Sequence, residues 1–168
     1  MRTARVPKQS EAGAPDTAFD IVIQRASALR GLPTNAAMRG WIAHALRRWR
    51  REASLTLRIV DAREGAALNR RWRGKQGPTN VLSFPLPGLA GIAPALLGDI
   101  VLCAPVLKAE AAAQRKTIAA HCAHLLVHGT LHLLGYDHAR PRQAATMERL
   151  ETELLAELDF PDPYAERP

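Results

Sequence analysis

The most informative stretch of the sequence runs from His128 to His138 and reads HGTLHLLGYDH. Its pattern predicts a helix, on which His128 and His132 lie on one face, one turn apart. Gly135 allows the backbone to leave the helix sharply, so His138 can return a third imidazole nitrogen to the same point. Three protein ligands with an open fourth position are typical of a catalytic rather than a structural zinc site. The stretch therefore predicts a metal site, and the alternative is three histidines that only pack or cap the helix.

The histidine spacing resembles the HExxHxxGxxH pattern of metzincin peptidases, with one departure. Gly129 occupies the position at which a metzincin carries its general-base glutamate. Without that carboxylate, the site lacks the group that takes the proton from the attacking water in peptide hydrolysis. The sequence thus predicts a site that holds a metal but does not run the usual peptidase reaction.

Several polar residues near these histidines have two possible roles each. We expect His121 and His124 to be ordinary helix residues, with orientation of a metal ligand as the alternative. Asp137 either takes the proton from the attacking water or serves only to cap the chain or orient a ligand. Asp99 is either functional or fixes the start of a strand. A second group of residues either lines the cleft or makes the hydrogen bonds of a turn and a strand cap: Thr79, Asn80 and Ser83.

Outward from this stretch, hydrophobic periodicity switches between strand and helix patterns. Strands are predicted at residues 19–24, 55–60, 80–84 and 99–103. Helices are predicted from Thr34 or Asn35 to about Arg51, from Asp61 to about Trp72, from Pro105 to Leu134 in one or two pieces, and from Gln143 to about Leu158. Asp61 and Glu64 have the spacing of a capping box, and residues 86–96 predict a loop. The tryptophans lie on apolar helix faces, so we expect them in the core rather than on a base-stacking surface: Trp41, Trp49 and Trp72.

Length and composition limit the class of protein. The chain has 168 residues and 18.4 kDa, and 47% of its residues are hydrophobic, which suits one domain with a buried core. Residues 1–17 predict a flexible N-terminal arm ahead of a single domain at 18–168. The two cysteines, Cys103 and Cys122, are too few for a disulfide framework. No apolar run has the length of a signal peptide or membrane span, so we expect a cytoplasmic protein without membrane contact.

The charge is unevenly distributed along the chain. The formal net charge is +7, and residues 41–75 carry ten basic residues against three acidic ones, whereas residues 141–168 carry three basic against seven acidic. A concentrated positive field favours a polyanionic partner such as nucleic acid. Taken without its context, a basic run is more often a solvated helix face.

Several motifs together resemble the YbeY-type endoribonucleases, which are bacterial rRNA maturation factors. They are NRRWRGK at 69–75, PTNVLSFP at 78–85, LGDI at 97–100, the histidine stretch, and DPY at 162–164. Their order is consistent over about residues 20–164, and the combination is far more specific than the histidine spacing alone. Two segments depart from the family, since residues 139–145 and 86–96 lack the acidic residues expected there. Neither departure touches the predicted ligands.

The resemblance implies an α+β fold, a single domain with a small, mostly mixed β-sheet, about five helices and a central helix that carries the histidines. It implies a zinc-dependent endoribonuclease that acts on single-stranded RNA in 16S rRNA 3′-end maturation and ribosome quality control. RNA and the ribosome or its small subunit are the implied partners. By motif, the metal ligands are His128, His132 and His138, and the functional arginine is Arg73. Its basic neighbours are expected to bind the substrate: Arg70, Arg71 and Lys75.

Residue chemistry agrees with the role of Arg73. A guanidinium offers a planar fork of donors that suits a phosphodiester and the charge that develops on it. A metal held by the three histidines would polarise a phosphoryl oxygen, supply the attacking hydroxide, or both. Three imidazoles accept zinc, and also nickel or another divalent metal. Two alternative functions are a non-catalytic ribosome-assembly or RNA-binding factor with a structural metal, and a metzincin-like peptidase, which Gly129 argues against.

Overall fold

The computed structural model describes residues 17–87 and 91–165. Its strands are β1 (Ala18–Arg25), β2 (Glu52–Val60), β3 (Val81–Pro85) and β4 (Leu96–Cys103), and its helices are α1 (Asn35–Arg47), α2 (Ala62–Arg73), α3 (Ala104–Ala113), α4 (Ile118–Leu133) and α5 (Pro141–Glu157). The sheet order is β1-β2-β4-β3, with β1, β2 and β4 parallel and β3 antiparallel at one edge. The predicted α+β fold with a mixed sheet and about five helices is confirmed. The predicted arm lies outside the described residues, except for Thr17.

The two faces of the sheet are covered unequally. Side chains alternate between faces along a strand, and one set packs against α1 and α4 in the main core: Leu55, Leu57, Ile59, Ile100 and Leu102. On the other face, α2 covers a smaller apolar cluster made of Val60, Leu82, Val101 and Cys103. The main core therefore lies on the α4 side of the sheet.

Helix α4 lies between the sheet and α5. Its N-terminus is capped by Thr117, whose side chain accepts a hydrogen bond from the Ala120 N–H at 3.0 Å. Leu126 faces the main core, whereas Val127 and Leu131 pack against α5 through Met147, Leu150 and Leu154. Since apolar packing encloses α4 on both sides, it fixes the direction in which the histidines point.

Two predicted details at helix ends are wrong. Helix α1 ends at Arg47 rather than near Arg51, because the chain turns over the next residues to enter β2 beside β1. No capping box forms at α2: the Asp61 side chain accepts a hydrogen bond from Ser27 Oγ, and Glu64 binds Arg58 at 2.6 Å. Tertiary partners have replaced the local capping bonds.

The segment predicted as a loop at 86–96 ends in a strand, because β4 begins at Leu96 and not at Asp99. Gly98 makes this possible at a φ of +136°. A Cβ at this position would lie 2.1 Å from the Phe84 carbonyl oxygen. Glycine therefore permits the close approach of β3 to β4.

The expectation for Trp72 is also wrong. Its side chain is 58% exposed at the end of α2, beside the ring of Phe84 at 6.1 Å between centroids. Trp41 and Trp49 are half-buried and pack against the cores, as predicted. Helix α2 is amphipathic, but it covers only part of its face of the sheet. In the described part of the chain no other element covers its last turn, so the Trp72 side chain stays exposed.

Candidate metal centre

Helix α4 presents two of the predicted ligands, and the chain after it returns the third. The Nε2 atoms of His128 and His132 lie 3.1 Å apart. The ring centroid of His138 lies 5.4 Å from that of His128 and 4.9 Å from that of His132. Gly135, at a φ of +101°, gives the backbone the turn that this return requires. One nitrogen from each ring lies within 4.8 Å of the others, so the structure brings all three predicted ligands together.

The hydrogen bonds of these rings leave lone pairs free for a cation. His132 Nδ1 donates to the Tyr136 carbonyl oxygen at 2.9 Å, and His128 Nδ1 is hydrogen-bonded to the Glu151 carboxylate. We assign the ring protons to Nδ1 on this basis, so the two Nε2 lone pairs face each other. Two nitrogens on one tetrahedral zinc lie about 3.3 Å apart, close to the spacing here. The donor set therefore fits a divalent cation.

The protonation of His132 also suits metal binding. Burial lowers the pKa of His132, and the neighbouring His128 and His138 lower it further. The imidazole is thus neutral at neutral pH, which is the form that coordinates a metal.

Glu151 on α5 is a site residue that the sequence analysis missed. It is fully buried, and its carboxylate bonds to His128, to His124 Nε2 at 3.2 Å and to the Tyr164 hydroxyl. Burial by itself would raise the pKa of Glu151, but the hydrogen bonds from His124, His128 and Tyr164 outweigh it and lower the pKa to about 2. Glu151 is therefore an ionised carboxylate that holds a ligand ring.

A signal for Glu151 exists in the sequence. It sits among apolar residues at core spacing on α5, between Leu150 and Leu154, where a charge is expected only with partners. The partners are contributed by α4 and by Tyr164, so the pairing depends on tertiary structure. His124 therefore has the alternative role, because it binds the Glu151 carboxylate that also holds the His128 ring. His121 instead contacts Glu110 on α3 at 2.7 Å.

The histidine cluster opens onto a cleft of about 630 Å³. His132 and His138 line it, and so do two arginines, Arg50 and Arg73. Arg73 is the last residue of α2, and Gly74 ends the helix in a left-handed conformation at a φ of +65°. The structure therefore brings Arg73 to the same cleft as the predicted ligands. Arg50 is a cleft residue that the sequence analysis did not select.

The three predicted substrate-binding residues lie outside the lining of this cleft. Arg70, Arg71 and Lys75 are exposed, and the Arg71 guanidinium lies over the Trp72 ring, 5.1 Å from its centroid. They surround the end of α2, where positive side chains also favour the helix dipole. Only Arg73 of this basic motif reaches the cleft lining.

The remaining candidates divide between the cleft and the scaffold. Ser83 lines the cleft and its hydroxyl donates to the Gly129 carbonyl oxygen at 3.2 Å. Asn80 binds Glu110 at the start of β3. Asp137 lines the cleft and caps the turn, because its Oδ1 accepts a hydrogen bond from the His138 N–H at 2.7 Å. Asp99 lines a groove on the other face of the sheet.

The packing of α4 against the sheet explains why glycine occupies position 129. A Cβ at this position would lie 3.2 Å from both the Ile100 side chain and Ser83 Oγ, which is tighter than ordinary contact. The residue therefore faces the sheet, and its small size lets α4 approach it. A glutamate at this position would need the side chains of Ile100 and Ser83 to shift.

Comparisons with known proteins agree with this architecture. The family model described as Endoribonuclease YbeY matches residues 27–159. A relative named Endoribonuclease YbeY from Xanthomonas axonopodis pv. citri is 54% identical over 151 residues, which cover 88% of this chain and 94% of that protein. Another of the same name, from Stenotrophomonas maltophilia, is 53% identical over equal shares. A solution structure from Thermotoga maritima matches with a TM-score of 0.54 at 21% identity, covering 86% of this chain and 100% of the other, and shows the fold alone.

Fold and site together define a class of small α+β proteins in which a central helix and the turn after it bring three histidines together beside an open cleft that contains arginine. The family match spans most of this fold, including α4 and the end of α2. The chain belongs to the endoribonuclease YbeY family, as the motifs predicted.

Proposed function

We propose that this endoribonuclease hydrolyses phosphodiester bonds of single-stranded RNA with a divalent metal ion held by His128, His132 and His138 and with Arg73 as its catalytic residue. The observation that carries the proposal is that Arg73, from a different helix, lines the same cleft as His132 and His138. A divalent cation supplies Lewis-acid chemistry at the reacting phosphate when it is bound.

The chain's own residues divide the remaining work. The guanidinium of Arg73 binds phosphate oxygens and stabilises the charge that grows on them during hydrolysis. The Tyr136 carbonyl oxygen and the Glu151 carboxylate keep the ring protons of His132 and His128 at Nδ1. Both rings therefore direct Nε2 at the position of the metal ion before RNA binds.

The finer parts of the function follow from the motifs. We propose zinc as the metal, with nickel or another divalent ion as substitutes, and the 3′ end of 16S rRNA as substrate during ribosome maturation and quality control. The ribosome or its small subunit is the proposed partner, in the cytoplasm, and residues 18–168 are the proposed domain. No helix in the described part of the chain is long and apolar enough to cross a membrane.

Two alternatives are weaker. A peptidase needs a general-base carboxylate beside the metal, and Gly129 faces the sheet at that position. A ribosome-assembly factor with a structural metal needs no open coordination position, yet the histidines here border a cleft. The assembly-factor alternative is therefore the one that an experiment must separate from ours.

Metal removal is the first test. We expect the purified protein to contain about one zinc per chain by elemental analysis, because three imidazoles fit one ion. A labelled single-stranded RNA that carries the 16S rRNA 3′ end should be cut, whereas chelator-treated protein should not cut it, and added zinc should restore cleavage. A peptide substrate tested in parallel should stay intact.

Each other result has a definite meaning. Folded protein without metal would contradict the metal centre. Metal present without RNA cleavage, even after small subunits are added, would favour the assembly factor. Peptide cleavage would show that Gly129 does not prevent peptidase chemistry.

A second prediction concerns Glu151. Replacement by leucine should weaken zinc affinity about 10- to 100-fold, because the His128 ring loses the acceptor that fixes its orientation. Glu151→Gln keeps an acceptor oxygen and should lose less. Affinity is measured by competition with a chromophoric chelator. Glu153→Gln is the matched control, since Glu153 lies on the same helix but pairs with Arg48 at the surface. Unchanged affinity in folded Glu151→Leu would contradict the role.

A further inference from the structure

A second pocket, of about 360 Å³, adjoins the metal cleft, and we name it the side pocket. Its lining residues are Trp49, Arg50, Leu134, Gly135 and Tyr136. All of them except Trp49 also line the metal cleft. The side pocket is therefore a lateral extension of the cleft in which RNA is hydrolysed.

The Tyr136 ring gives the side pocket an aromatic wall. Trp49 and Tyr136 are half-buried and pack edge to face, with ring centroids 5.6 Å apart and ring planes at 61°. The Arg48 guanidinium lies over the Trp49 ring, 5.5 Å from its centroid, so a base can stack on Tyr136 but not between the two rings. Gly135 adds no side chain, and a Cβ there would meet nothing within 4 Å. Aromatic side chains at such a site hold unpaired nucleobases by stacking, largely without regard to sequence.

Arg50 adds an available positive charge. Within residues 17–87 and 91–165, its guanidinium has no hydrogen bond and no ion pair. Its neighbour Arg48 differs, because it pairs with Glu153 at 2.9 Å and Glu157 at 2.6 Å. A half-buried guanidinium without a carboxylate partner is suited to a phosphate.

The side pocket is also close to the ligands. Tyr136, whose side chain forms one wall, accepts the hydrogen bond from His132 Nδ1 through its carbonyl oxygen at 2.9 Å. One residue therefore both orients a metal ligand and forms the pocket wall. The side pocket therefore adjoins the histidine cluster, where a nucleotide beside the reacting phosphate would place its base.

We infer that the side pocket binds the nucleobase of a nucleotide next to the cleaved phosphodiester, with the Tyr136 ring as its stacking surface, Trp49 supporting that ring from the core, and Arg50 on the adjacent phosphate. The inference rests on the proposed function. Bound RNA would then have a defined orientation in the cleft, with one base in the side pocket and the reacting phosphate at Arg73, which lies on α2. Only an unstacked, single-stranded nucleotide can place its base there.

The test combines variants with substrates that lack one base. A single-stranded RNA with one cleavage site is compared with a series in which each nucleotide in turn is abasic. For the wild type, one abasic position beside the cleaved bond should raise KM about tenfold with little change in kcat, since one stacking contact is lost. Tyr136→Leu, which keeps the backbone carbonyl, should raise KM similarly on intact RNA and lose its sensitivity to that abasic position alone.

Two further variants complete the experiment. Arg50→Gln should raise KM and make it less salt-dependent, because one phosphate contact is lost. Arg47→Gln is the matched control, since Arg47 lies outside both pockets and loses the same charge. An unchanged KM in Tyr136→Leu, or a variant that still responds to the same abasic position, would overturn the inference.

A binding measurement separates this inference from the proposed function. If the protein cuts no RNA, the proposed function fails, and 2-aminopurine is placed at each position of the same RNA in turn. Quenching at one position on binding, absent with Tyr136→Leu, would still support the side pocket. Binding without quenching at any position would overturn it, and so would a failure to bind this RNA.

Discussion

Replacement of His132 by alanine is expected to remove the metal and abolish RNA cleavage while the protein stays folded. His132 lies beside His128 with Nε2 atoms 3.1 Å apart, so its loss leaves two of three ligands. Metal chemistry contributes several kcal/mol to such a reaction, so cleavage should fall by at least about 10³-fold. The fold should persist, because α4 is held by apolar packing against the sheet and α5 and alanine favours helix.

Three measurements check this expectation: elemental analysis for zinc, urea unfolding for stability, and cleavage of the labelled RNA. His44→Ala is the control, since His44 binds Glu157 on the surface, away from the cluster. That variant should retain metal and activity. An unfolded His132→Ala protein, with a stable His44→Ala, would instead identify a structural metal and favour the assembly-factor alternative.

The histidine cluster was predictable because its geometry is local. A separation of four residues places two rings on one helix face, and Gly135 supplies the turn that returns His138. The same reasoning predicted β2, which alternates apolar and polar residues over the main core, whereas β4 was predictable as a short apolar run and is buried on both faces. A helix with one buried face and a strand with one buried face carry their pattern in the sequence.

Contacts between distant segments were not predictable in the same way. Glu151 lies 23 residues from His128 and reaches it only because α5 packs on α4. Residue chemistry alone does not separate Arg70, Arg71 and Arg73; the motif resemblance singled out Arg73, and the fold brings Arg73 but neither of the other two to the cleft lining. Trp72 was misplaced for the same reason, because periodicity identifies an apolar face but not whether another element covers it.

Arg73→Ala is expected to lower kcat/KM for RNA about 10²- to 10³-fold, the usual effect of removing one donor that stabilises developing charge. The protein should remain folded and fully metal-loaded, because the side chain is exposed at the end of α2 and contacts no histidine of the cluster. Arg73→Lys keeps the charge but loses the planar fork, so it should recover only part of the rate. Cleavage kinetics with metal content measured on the same samples test this.

The neighbouring basic residues provide matched comparisons. Arg71→Ala removes the same charge two residues earlier on α2, where the guanidinium lies over the Trp72 ring outside the cleft lining. If Arg70, Arg71 and Lys75 bind the RNA backbone, their alanine variants should raise KM a few-fold, leave kcat near the wild-type value and reduce the salt dependence of KM. An equal fall in kcat for Arg71→Ala and Arg73→Ala would contradict a special role for Arg73. Loss of metal in Arg73→Ala would place its effect in the metal centre rather than at the phosphate.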